Sequence, residues 1–208
     1  MSNRGGLYVI SGPSGSGKSS LANRALAEIP NLKFSVSHTT RKPRLGEQDS
    51  VEYFFVSEKE FKEMVQVGDF MEHACVFGHH YGTSKAHVET LRCAGHDVLL
   101  DIDVQGARQI HEAYTEAILI FVLPPSLEVL TCRLKERNLD DMSVIVNRLR
   151  IAKKEINSYR KYQYVIINED YEKAVGELSA IIRDAGSDFR LDNRKERAEE
   201  IIKTFGGS

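Results

Sequence analysis

Gly12-Pro13-Ser14-Gly15-Ser16-Gly17-Lys18-Ser19 decides the fold. Its outer glycines, lysine and serine fall at the spacing of a phosphate-binding loop for a nucleoside triphosphate. The glycines allow turns that aim successive N–H groups into one concavity, Lys18 adds a mobile positive charge, and the Ser19 hydroxyl is a ligand for Mg²⁺. The flanks agree: Leu7-Tyr8-Val9-Ile10 is an apolar run suited to a buried parallel strand, and Ser19 to Leu26 has helical periodicity. That order of strand, loop and helix separates the motif from a glycine-rich turn without a ligand. A nucleoside triphosphate is therefore expected on Gly12, Pro13, Ser14, Gly15, Ser16, Gly17, Lys18 and Ser19, with Ser20 beside them.

The bulk numbers narrow the classes. A chain of 208 residues with 41% hydrophobic content can bury one sizeable core, so a single domain over 1–208 is expected. Lysine and arginine number 28 against 30 acidic residues, a formal charge of −2, which argues against a general nucleic-acid or acidic-membrane binder. Cys75, Cys93 and Cys132 are widely spaced, with no C-x-x-C pair; they read as reduced thiols filling space rather than as disulfides or a zinc site. Met1 leads almost directly into the first strand, leaving no room for a secretion signal, and no apolar run approaches ~20 residues. A cytoplasmic protein without a membrane partner is expected.

Along the chain, apolar runs alternate with amphipathic stretches: Val98-Leu99-Leu100 then Gln105 to Ala113, Ile118 to Val122 then Leu127 to Glu136, and Tyr164 to Ile167 then Tyr171 to Arg183. This is the signature of βαβ units. The predicted fold is α/β: a phosphate-loop NTPase core, with a parallel β-sheet flanked by helices, over 5–34, 91–126 and 156–184. Between its parts lies a small mixed α/β insert over 35–90, where Glu52 to Val56 reads as a strand and Ser57-Glu58-Lys59-Glu60 as a capping box opening a helix through Val65. A helical lid is expected over 127–155, broken at Asn138-Leu139-Asp140-Asp141. The charged tail, 185–208, places Ala198, Ile201, Ile202 and Phe205 on one possible helix face, suiting either a marginal terminal helix or a subunit contact.

Three clusters carry the chemistry. Asp101-Ile102-Asp103 ends the strongest central strand, and in open α/β sheets ligands lie beyond the carboxyl ends of strands. Asp101 is preferred as the partner of Ser19 at the metal; capping the next helix is the alternative, stronger for Asp103. Arg133 and Arg137 share a helix face, and Arg148 follows the break, so closure would bring three guanidinium groups over a transferring phosphoryl group. Solvated helix charge is the alternative, and the phosphate loop tips the balance against it. Thr39-Thr40-Arg41-Lys42-Pro43-Arg44, with Tyr53 and Tyr81-Gly82-Thr83, reads as a monophosphate site, against surface decoration and core packing. His38, His73, His79 and His80 receive no catalytic role.

These residues resemble the guanylate kinase family closely. The similarity runs through the phosphate loop, Ser35-Val36-Ser37-His38-Thr39-Thr40-Arg41, Arg44-Leu45-Gly46-Glu47, Glu52 to Val56, Tyr81-Gly82-Thr83, Leu100 to Gly106 and Pro124-Pro125-Ser126, and spans residues 6 to 184. The resemblance implies phosphorylation of GMP to GDP by ATP with Mg²⁺, with dGMP as a further acceptor. It implies that Arg41, Arg44, Tyr53 and Tyr81 hold the GMP phosphate, that Ser37, Glu72, Thr83 and Asp103 read the guanine, and that Asn168 lies near the ATP base. Lys18, Arg41, Arg133, Arg137 and Arg148 form the implied catalytic set, with Ser19 and Asp101 at the metal. A glycine usually follows the second lid arginine; Asn138 stands there, and asparagine tolerates the left-handed conformation better than most residues. Chemistry supports the base assignment, since guanine presents N1–H and an amine as adjacent donors that the Glu72 carboxylate can accept together. A plain surface acid on a strand edge is the alternative. A kinase for another small phosphate acceptor and a noncatalytic scaffold module are the rival functions; scaffold members of the family typically lack the intact loop and lid present here. Whether the protein is a monomer or a homo-oligomer is left open.

Overall fold

The structure, a computed structural model, describes residues 4–76, 78–136, 142–184 and 186–206. The chain runs β1 (Leu7–Ser11), α1 (Lys18–Glu28), β2 (Leu32–Phe34), β3 (His38–Thr39), β4 (Phe54–Phe55), α2 (Glu58–Gln66), β5 (Phe70–Val76) and β6 (His79–Ser84). Then follow α3 (Lys85–Cys93), β7 (Asp97–Asp101), α4 (Val104–Ala113), β8 (Ile118–Leu123), α5 (Leu127–Glu136), α6 (Met142–Glu155), β9 (Tyr164–Ile167), α7 (Tyr171–Ile182) and α8 (Leu191–Thr204). They form two compact units, one from 1–7 and 31–117, the other from 8–30 and 118–208. The first unit holds β2 to β7 with α2 to α4, and the second holds β1, β8 and β9 with α1 and α5 to α8.

In the second unit β8 pairs in parallel with both β1 and β9, with Val9 opposite Leu119 and Phe121 opposite Val165. Val9, Ile10, Leu119 to Leu123, Val165 and Ile166 are all buried, as strands covered on both faces require. Helices α1 and α7 pack together, and α8 lies on β9 and on the 3-10 turn at Ile156–Lys161. Ala198, Ile201, Ile202 and Phe205 are buried there. The tail's apolar face is thus packed within its own unit. Arg137 and the break at Asn138 to Asp141 lie outside the described residues.

In the first unit β2 and β7 pair in parallel, Leu32 opposite Asp97. A second, mixed sheet has the order β4-β3-β6-β5, which leaves β5 at its edge. The Ser57 capping box forms as expected: Ser57 Oγ accepts from the Glu60 N–H and the Glu60 carboxylate accepts from the Ser57 N–H, and the helix runs to Gln66. The strand expected over Glu52 to Val56 shrinks to Phe54–Phe55. The cause is local: Ser50 turns at φ +64, its N–H donates to the Tyr53 carbonyl at 2.8 Å, and Asp49 takes the Phe55 N–H at 2.9 Å.

The three cysteines are free, but they are exposed and do not fill space. On β5 the alternation of the pleat turns Cys75 outward with His73 while Ala74 points in. No helix among the described residues is long and apolar enough to cross a membrane.

Candidate active site

The second unit builds an anion cradle from backbone. β1 ends at Ser11, and Gly12 turns with φ +143 where a Cβ would stand 2.4 Å from the Val122 carbonyl oxygen. Only glycine fits so close to β8. Gly17 ends the loop in the left-handed region, at φ +96, as the N-cap of α1, which has no side-chain cap and no acid in its first turn. A helix start with uncapped N–H groups and no competing carboxylate attracts an anion. Lys18 folds back over the loop, its Nζ donating to the carbonyls of Gly12 at 2.7 Å and Pro13 at 3.2 Å. Ser19 and Ser20 are exposed on the first turn of α1, while Ser16 is buried and Ser14 half-buried.

Asn168, which follows β9, lies against this loop. It is 4% exposed, and its Nδ2 donates to the Ser16 carbonyl at 2.7 Å. The Asn168 carbonyl in turn accepts from Arg133 Nη2 of α5 at 2.9 Å. The loop, Asn168 and Arg133 therefore form one connected set, and Arg148 stands half-buried on α6. Through its bond to the Ser16 carbonyl, the Asn168 amide group supports the phosphate loop.

The first unit gathers the expected monophosphate cluster. The Arg41 guanidinium donates to both oxygens of Glu47 at 2.9 Å and lies 5.3 Å from the Tyr53 ring centroid and 5.8 Å from that of Phe55. Tyr53 and Tyr81 meet edge to face at 5.8 Å. The hydrogen bond from Arg41 holds the Glu47 carboxyl below its ordinary value, while burial, then Tyr81 and Asp101, push the Tyr53 phenol up. Arg44 is exposed, and its backbone N–H donates to Glu47 Oε2 at 2.7 Å. Glu47 belongs to the family motif without an implied role, and a carboxylate six residues from an arginine carries no separate sequence signal.

Across β5 and β6, Glu72 stands opposite Thr83, whose hydroxyl donates to Glu72 Oε1 at 2.6 Å. Glu72 is 3% exposed, so it is no surface acid, although β5 is an edge strand. Burial raises its carboxyl to about 7; the Thr83 hydrogen bond opposes this and the Asp103 charge adds to it. Asp103 realises the capping alternative: its Oδ1 accepts from the N–H groups of Gln105 and Gly106 at 3.1 and 2.9 Å. Ser37 is half-buried, and its carbonyl accepts from the Phe54 N–H at 2.9 Å. Asp101 closes β7 in the same unit. Gly106, which the family motif includes without a role, and Gln109 on α4 give no sequence signal of their own, because their partners on β5 are distant in the chain.

A family model for guanylate kinase matches residues 4–185. The guanylate kinase of Hahella chejuensis is 51% identical over 96% of this chain and 95% of its own length. That of Alkalilimnicola ehrlichii is 43% identical over 98% of this chain and 99% of its own. The crystal structure of guanylate kinase from Anaplasma phagocytophilum aligns at a TM-score of 0.72 and 34% identity, covering 95% of each chain. With matches of this identity over nearly its whole length, the chain belongs to the guanylate kinase family.

Proposed function

We propose that the two residue sets divide one phosphoryl transfer, ATP + GMP ⇌ ADP + GDP, with ATP on the second unit and GMP on the first. The chain is an ATP-dependent GMP kinase. Lys18 and the N–H groups of the loop neutralise the β and γ phosphates, and Arg133, Arg137 and Arg148 stabilise charge on the transferring group. Arg41, Arg44, Tyr53 and Tyr81 hold the acceptor phosphate. That phosphate is largely ionised at neutral pH, since its second pKa is ~6, so no general base is needed and positioning is the main catalytic task.

The observation that carries the choice of acceptor is the buried Glu72 carboxylate. An acceptor group in a site closed to water matches the paired N1–H and amine of guanine, which adenine lacks. Ser37, Thr83 and Asp103 complete the base site.

Mg²⁺ fits the donor chemistry. Among the described residues there is no cluster of three histidine, cysteine or acidic side chains, but a cation carried on nucleotide phosphates needs only one or two protein oxygens. Ser19, exposed on the first turn of α1, supplies one, and Asp101 is assigned the other. When bound, the ion offsets charge on the phosphates; Lys18 and the arginines position them. Three free, exposed cysteines suit a reducing compartment, in keeping with a cytoplasmic enzyme. The test is label transfer: with γ-labelled ATP and GMP the label is expected in GDP, and release only as inorganic phosphate would contradict the reading.

A further inference from the structure

Helix α4 meets β5 across a glycine. A Cβ built on Gly106 would stand 2.3 Å from Glu72 Oε2 and 2.9 Å from its Cδ. The carboxylate has little room to yield, because Glu72 is 3% exposed and its other oxygen is held by Thr83 at 2.6 Å. One turn along α4, the Gln109 side chain grips the residue after Glu72. Its Oε1 accepts from the His73 N–H at 3.2 Å and its Nε2 donates to the His73 carbonyl at 2.7 Å. The amide thus takes the place of a neighbouring strand on the open edge of β5. Asp103, Gly106 and Gln109 are three residues apart, so one side of α4 presents a charge, a gap and a clamp to the same strand.

We propose that Gly106 and Gln109 are positioning residues for base selection: Gly106 leaves the space that the Glu72 carboxylate occupies, and Gln109 fixes the strand that carries it. The proposal rests on Glu72 reading the guanine. If Gly106 served helix packing alone, its replacement would act the same whether or not Glu72 were present.

The test measures kcat/KM with GMP and with inosine monophosphate, whose base keeps N1–H but lacks the amine, together with Tm. The proteins are wild type, Glu72→Ala, Gly106→Ala, Gln109→Ala and the double variant Glu72→Ala/Gly106→Ala. Gly106→Ala is expected to lower the GMP preference by about tenfold or more, the scale of one hydrogen bond to a charged group, with the KM for ATP unchanged. Gln109→Ala is expected to lower it by about threefold or more on the same basis; an unchanged preference would remove Gln109 from the proposal. In the Glu72→Ala background, Gly106→Ala should not lower kcat/KM for GMP further and should hold or raise Tm, because alanine is the better helix former once the carboxylate is gone. Equal losses in both backgrounds would overturn the role of Gly106. Should Gly106→Ala fail to fold alone, folding of the double variant supports the proposal and its failure overturns it. Loss of GMP preference in Glu72→Ala but not in Gly106→Ala defeats the positioning role alone, whereas retained preference in Glu72→Ala defeats the base reading beneath it.

Discussion

Thr83 Oγ1 donates to Glu72 Oε1 at 2.6 Å, where Glu72 is almost wholly cut off from water. Burial raises the Glu72 carboxyl from 4.5 to about 7. A carboxyl raised on folding binds more protons in the native state between those values, so the ligand-free protein is favoured below the lower one and loses stability as pH rises to the upper. Glu72→Gln removes the titration and is expected to be the more stable protein at about pH 8, by on the order of 3 kcal/mol. Melting curves of both proteins across this range check it; a constant difference in Tm at every pH would contradict it.

Lys18 lies over the phosphate loop, its Nζ donating to the carbonyls of Gly12 and Pro13. Lys18→Ala should lower kcat by about 10²-fold or more, the cost of losing one preorganised charge at a transferring group. GMP binding, followed by calorimetry, should stay within about twofold of wild type. Retained turnover would refute the role given to Lys18.

Asn168 supports the loop through Ser16, and Gly17 has no room for a Cβ beside it, at 2.2 Å from Asn168 Nδ2. Removing the amide in Asn168→Ala costs the loop a buried hydrogen bond. We expect the KM for ATP to rise about tenfold with the KM for GMP unchanged. Equal rises for both substrates would show that the effect is global.

Phe205 closes the apolar face of α8 and is 4% exposed. Phe205→Ala should cost about 3 kcal/mol, near 10 °C in Tm, without altering either KM. A change in oligomer size with no loss of Tm would instead return this face to a subunit contact.

Much of the site was legible because its determinants are local in sequence. The loop from Gly12 to Ser19 carries strand, turn and helix within one window, and Ser57 with Glu60 announces its own cap. Arg41, Tyr53 and Tyr81 were named together and do meet. What stayed hidden depends on tertiary approach: the burial of Glu72, the seat of Asn168 under Ser16, and the demand that Gly106 be small all arise from residues distant in the chain. The short β4 shows the opposite failure, since an aromatic run with strong strand propensity was cut by the Asp49 and Ser50 turn. Cysteine identity suggested burial, and pleat position overrode it at Cys75.

The most direct test of the assigned reaction is ADP release with Mg²⁺ and ATP across GMP, AMP, dTMP and UMP at equal concentration. A buried carboxylate that accepts the paired donors of guanine predicts turnover with GMP at least about 10²-fold above the others. Comparable turnover with AMP would contradict it.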